Sequence, residues 1–121
     1  TTPTPADPKA EANTPAYWGN TQAQASAVFT RMQATLAGLG LGFGDVVSMT
    51  VYLVGDPALG GRMDFAGFMA AYSQHFGTAA QSRLPARTTV QVAGLVAPGM
   101  LVEVEVTAVR PTNAPRAASQ P

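Results

Sequence analysis

Cysteine is missing from all 121 positions, so the chain has no disulfide, no thiolate nucleophile and no thiolate metal site. That absence suits a reducing or an oxidising compartment equally. Histidine occurs once, as His75, and a lone histidine without Asp, Cys or His partners at ligand spacing argues against a metal. Its expected role is a favourable cation at the carboxyl end of a helix. An excess of one charge is also lacking. Seven Lys and Arg balance seven Asp and Glu, which leaves no field to draw in nucleic acid or an anionic membrane. No apolar run approaches the ~18 residues of a membrane span. The amino end lacks the basic-then-apolar layout of a signal peptide, and any signal would lie upstream of Thr1, so cytoplasm and periplasm both stay open. Lysine is nearly absent: Lys9 stands against six arginines, a balance that tilts the chemistry toward planar, two-point anion contacts.

What is present suits one domain over 1–121, with 46% hydrophobic residues to build a core. Residues 1–19 are rich in proline and predict an extended arm, pinned to the core by Tyr17 and Trp18. The core is expected over 20–110. A first helix starts at Asn20 and Thr21, with Thr21 and Gln24 in capping-box spacing, and runs through Val28, Phe29, Met32, Leu36 and Leu39 to Gly38 and Gly40. VVSMTVYLV (46–54) alternates as a strand, with Val47, Met49, Val51 and Leu53 on one face. Asp64 caps a second helix bearing Phe65, Phe68, Met69, Tyr72 and Phe76 at helical intervals. Strands over about 87–95 and 100–109 follow, and Pro98-Gly99 between them favours a hairpin-like reversal. Residues 111–121 have the composition of a disordered tail.

Helix, strand, helix, strand, strand predicts an α+β fold with both helices on one face of a small sheet. Hydrophobicity assigns Val47, Met49, Val51, Leu53, Val90, Val92, Val102, Val104 and Val106 to the covered face. The opposite face would carry Ser48, Thr50, Tyr52, Thr89, Gln91, Glu103 and Glu105, as in a wet oligomer interface or a cleft. Arg87 shares parity with Thr89 and Gln91, so it is expected beside Glu103 and Glu105. A guanidinium near a carboxylate suits a small carboxylated ligand: the arginine grips its carboxylate and a glutamate orients water or moves a proton. The alternative is an ion pair that neutralises both groups in an interface.

Other constellations carry less. The serines stand in no nucleophile-elbow context, and the glycines of GLGLGFG follow a helix and precede a strand, the reverse of a phosphate-cradling loop. An amino-terminal threonine can serve as a nucleophile activated by its own amine, but the TPTP arm behind Thr1 shows no oxyanion donors, and a processed or truncated chain is the simpler account.

Four ordered blocks, GLGFGDVVSMTVYLVGD, MDFAGFMAAYSQHF, LPARTTVQVAGL and LVEVEVTAVR, resemble the RidA/YjgF/UK114 family of reactive-intermediate deaminases, formerly called endoribonuclease L-PSP. The likeness runs over about 20–110. It implies a chorismate-mutase-like α+β fold with a small mixed sheet, a homotrimer, and ligand sites in clefts between subunits. It also implies hydrolysis of 2-aminoacrylate-type enamines or imines to 2-keto acids and ammonia, without metal or organic cofactor. By motif position the carboxylate-binding arginine is Arg87 and the water-positioning glutamate is Glu103. Thr89 and Met69 stand where archetypal members carry cysteine and asparagine, and with Tyr17 they complete the candidate substrate contacts. Family members have strands with an S-G motif ahead of the segment where this sequence begins. Two accounts follow: a cleaved amino-terminal segment that stays bound as a partner peptide, or a sequence that starts short of those strands. A non-catalytic carboxylate-binding or regulatory trimer is the alternative to the enzyme. The nuclease reading finds no support in a neutral chain without a His/Lys/Glu cluster.

Overall fold

The computed structural model describes residues 1–112. Of the expected tail, 113–121 lie outside the described residues. In chain order the elements are α1 (Pro15–Trp18), α2 (Thr21–Gly38), β1 (Val46–Val54), α3 (Phe65–Tyr72), β2 (Ala86–Val92) and β3 (Val102–Ala108), with short 3-10 turns before and after β1. The expected α+β class and the mixed sheet are both present.

The strand order is β2-β1-β3, with β1 parallel to β2 and antiparallel to β3. This corrects the expected hairpin between the last two strands. Parallel neighbours need a crossover, and α3 supplies it between β1 and β2. The segment around Pro98-Gly99 does not reverse the chain beside β2; it leads β3 to the far side of β1. Trp18 holds that segment, donating from Nε1 to the Pro98 carbonyl at 3.0 Å. Gly99 has φ 86°, and a Cβ there would come within 2.7 Å of the Trp18 ring, so only glycine passes under the indole.

Asn20, not Thr21, caps α2: its side chain accepts from the Ala23 N–H at 2.9 Å. Gln24 is freed from the expected capping box and ties three segments together. Its amide donates to Gly19 and Gly99 carbonyls and accepts from the Leu101 N–H at 2.7 Å. A fully buried glutamine is tolerated because both ends of its amide are used.

The core lies between the helices and the sheet, with Phe29 at its centre against Phe43, Phe68, Tyr72 and Phe76. Met49, Val51, Leu53, Val102 and Val104 line the sheet side as expected. Val47 does not: it is 49% exposed while Val46 is buried. The register slips between Val46 and Ser48, and this irregularity swaps the parity of the first residues of β1. Leu39 is likewise exposed, past the end of α2.

The loop from Gly55 to Met63 sets where α3 begins. Gln91 staples it, donating to the Gly61 carbonyl at 3.1 Å and accepting from the Met63 N–H at 3.3 Å. A Cβ on Gly55 would run into the Gly61 carbonyl oxygen. Gly55→Ala is therefore expected to cost about 1–3 kcal/mol, read as a lowered urea midpoint with unchanged slope, although alanine usually stabilises an unstrained glycine position.

Candidate functional site

Register decides where each candidate side chain points. Paired residues on adjacent strands share a face, and Met49 pairs with Arg87, Val51 with Thr89 and Leu53 with Gln91. Arg87, Thr89 and Gln91 therefore face the helices, while Thr88, Val90 and Val92 share the open face with Thr50, Tyr52 and Val54. On β3, Glu105 pairs with Thr50 and Glu103 with Tyr52, which puts both glutamates on the open face. The expected meeting of Arg87 with Glu103 within one chain is thus overturned: they lie on opposite sides of the sheet, with β1 between their strands. Val90 and Val92 are corrected in the same way, and Val90 is 37% exposed.

Arg87 is half-buried at the start of β2 against α3. Its guanidinium carbon lies 4.6 Å from the ring centre of Tyr72, 5.5 Å from Phe65 and 5.9 Å from Phe68. Its side-chain hydrogen bond among the described residues runs from Nη1 to the Met69 thioether at 3.0 Å. The aromatic stripe of α3, which periodicity marks as core, thus doubles as a cage for one cation. Phe65, Phe68 and Tyr72 are site-forming residues that sequence reasoning missed as such. Their spacing was legible, but nothing local said that an arginine would come to rest among them.

Ring faces attract a guanidinium without neutralising it, and a thioether is a weak acceptor. Neither the expected ion pair nor any other carboxylate contact quenches Arg87 among the described residues. Two positions further along β2, the Thr89 hydroxyl is buried without a hydrogen-bond partner. A charge left available and an unused hydroxyl on one side of one strand can take an anion with polar atoms beside it. The Tyr72 hydroxyl is pushed above the ordinary tyrosine value by burial, with the charge of Arg87 opposing the shift.

The open face has its own chemistry. Tyr52 donates from Oη to Glu105 Oε1 at 3.4 Å, and the negative charge of Glu105 is the first cause that raises its hydroxyl above the ordinary value. Tyr17 sits in α1, edge-on to Trp18 at 4.8 Å, and its carbonyl accepts from the Ala6 and Asp7 N–H groups. The expected extended arm thus ends in a helical turn that Trp18, not Tyr17, ties to the core, and Tyr17 makes no contact with Arg87 among those described. His75 lies three residues past the end of α3, 5.1 Å from Phe43 and 5.5 Å from Phe29. Burial lowers its pKa, which favours neutral imidazole over the expected helix-end cation. The Thr1 amino group donates to the Val104 carbonyl at 2.7 Å, which places the first residue beside β3.

Two cavities lie away from Arg87. One of about 510 Å³ opens between α1, the end of β1 and Met100-Leu101, and one of about 380 Å³ between α2 and β3. Among the described residues no group of three or more His, Cys, Asp or Glu could hold a metal, and no helix is long and apolar enough to cross a membrane.

The family model described as Endoribonuclease L-PSP matches residues 4–110. The chain belongs to this family. Its sequence is similar to a RutC family protein of Synechocystis, 39% identical over 94 residues, which cover 78% of this chain and 65% of that one. The chain thus spans just under two thirds of that curated relative. The fold is similar to Escherichia coli TdcF with bound serine, at 29% identity and a TM-score of 0.67, covering 92% of this chain and 78% of TdcF. It is also similar to the YjgF gene product of E. coli, at 29% identity and a TM-score of 0.64 over the same shares. Yeast Mmf1 is 31% identical with a TM-score of 0.62, over 77% of this chain and 66% of Mmf1. Family membership thus joins this chain to the RidA/YjgF/UK114 group that its four sequence blocks resemble.

Proposed function

We infer that the protein is a hydrolase that converts reactive 2-aminoacrylate or 2-iminopropanoate type intermediates to 2-keto acids and ammonia. The observation that carries this reading is the half-buried Arg87 guanidinium, held by three rings and a sulfur, with no carboxylate against it among the described residues. Such a group binds a carboxylate through two parallel hydrogen bonds. The serine bound in the TdcF structure is a small ligand carrying that group, which fits the same chemistry.

Arg87 would hold the substrate carboxylate, with the Thr89 hydroxyl and Met69 beside it. Water adds to the protonated imine carbon and its proton passes to a carboxylate, which returns it to the amine nitrogen; the carbinolamine then expels ammonia, its hydroxyl proton goes to solvent, and its C–O bond becomes the keto C=O. The carboxylate is Glu103, and Tyr17 completes the pocket. Since Glu103 and Arg87 lie on opposite sheet faces, a second copy must bring one to the other, which is the homotrimer with intersubunit clefts that the resemblance implies.

The same separation favours one other reading, a trimer that binds small carboxylates without turning them over, because among the described residues no acid of the same chain stands at Arg87. Glu103→Gln separates the two. In the enzyme it lowers ammonia release from 2-iminopropanoate by about 10²–10⁴-fold, the usual range for removing an acid–base group, while pyruvate binding measured by calorimetry persists. Pyruvate binding with no ammonia release above solvent, in the unsubstituted protein, would establish the binding trimer instead.

A further inference from the structure

We propose that Tyr72 is a positioning residue, whose ring face, braced by Phe76, holds the Arg87 guanidinium ready for an anion. The proposal rests on the reading of Arg87 as the carboxylate grip. Of the three rings around the guanidinium, Tyr72 is the nearest, at 4.6 Å against 5.5 and 5.9 Å. It is also a fixed ring. Phe76 stacks on it at 4.8 Å with an interplanar angle of 12°, Phe68 lies 5.8 Å away, and Tyr72 is only 6% exposed.

An arginine side chain has several freely turning bonds, and ordering them when a ligand arrives costs affinity. Most proteins order such an arginine with an acid, but a carboxylate would also occupy the N–H groups that the ligand needs. A ring face holds the guanidinium without an acid, so the N–H groups that the weak Met69 contact does not engage are left for a ligand. Phe65, at 38% exposed, is too open to do this alone. The geometry therefore divides the labour: α3 orients the cation through π faces, and the ligand supplies the hydrogen bonds.

The test changes ring electrons without changing ring shape. In the full chain, Tyr72→Phe serves as the reference, and the same position is then filled with mono-, di- and trifluorinated phenylalanine. Fluorine drains the π face that attracts a cation while barely altering size. Pyruvate affinity, read by calorimetry, should fall stepwise, by roughly tenfold across the series, while the thermal midpoint stays level. A purely structural tyrosine would not move affinity at constant stability. Flat or tightening affinity across the series overturns the role of Tyr72. Arg87→Ala, run alongside, keeps the two ideas apart. Loss of pyruvate binding there with a flat fluorine series sinks Tyr72 alone, whereas undiminished binding removes the carboxylate grip and this inference with it.

Discussion

Arg87→Ala is expected to lower ammonia release from 2-iminopropanoate by at least about 10²-fold, with pyruvate binding weakened to a similar degree. The magnitude follows from losing two charge-assisted hydrogen bonds, each worth about 1.5–3 kcal/mol, to a ligand that then enters a site lined by rings and a thioether. Stability should change little by comparison. The guanidinium makes no ion pair among the described residues, so its removal strands no charged partner; what is lost is the packing of its stem against α3, its contact with three rings and the weak bond to Met69. Arg87→Lys is informative beside it. Lysine keeps the charge and the attraction to the rings, but as a point charge it cannot present a planar fork, so most of the affinity should still be missing. Steady-state ammonia release and pyruvate calorimetry on both variants, with melting curves as the control, check the expectation. Full activity in Arg87→Ala would remove the arginine from the chemistry.

Phe29→Ala is expected to be the most damaging substitution to the fold. The ring is fully buried and lies 5.5–6.3 Å, centre to centre, from Phe43, Phe68, Tyr72, His75 and Phe76. Truncating such a residue costs about 3–5 kcal/mol, a large part of the 5–15 kcal/mol that holds a domain together. The melting midpoint should fall by about 12–20 °C for a chain of this size. The damage should also reach the site, since Phe68 and Tyr72 pack on Phe29 and also hold Arg87. His75 gives a local readout. Burial now depresses its pKa below the ordinary value, so this group favours the folded state above that value and opposes it as pH falls below it. Loosening the ring cluster around it should raise the His75 pKa toward normal, visible by proton NMR titration. A midpoint shift of only a few degrees would mean that the cluster closes over the gap.

Much of this architecture is legible in the residues. Alternation marks β1 and β3, the spacing of Phe65, Phe68 and Tyr72 marks α3, and the apolar run from Val28 to Leu36 marks α2. Family resemblance adds Arg87 and Glu103 as a pair. What the residues do not disclose is which side of β2 is inward. Its two parities read Arg, Thr, Gln and Thr, Val, Val, and hydrophobicity alone turns the valines toward the core. The parallel pairing with β1 turns them away instead, because α3 crosses over and fixes Met49 opposite Arg87. β2 is also a border strand in this chain, where apolar side chains can face outward at modest cost. Pro98-Gly99 misleads for a related reason: turn chemistry reports a bend in the backbone and says nothing about which strand lies next door. Likewise Gln24 looks like half of a helix cap, and only the folded chain brings Gly99 and Leu101 within its reach.

The anchoring of Arg87 has a mechanical side. Its backbone rides on the sheet's border while its charged tip is clasped by a separate helix, so the tip reports the gap between two bodies more than the posture of either. A shift of α3 by an ångström would swing the tip without breaking a single rung of the ladder. Tuning by distant substitutions along that seam would therefore show first as altered ligand preference, with melting behaviour untouched.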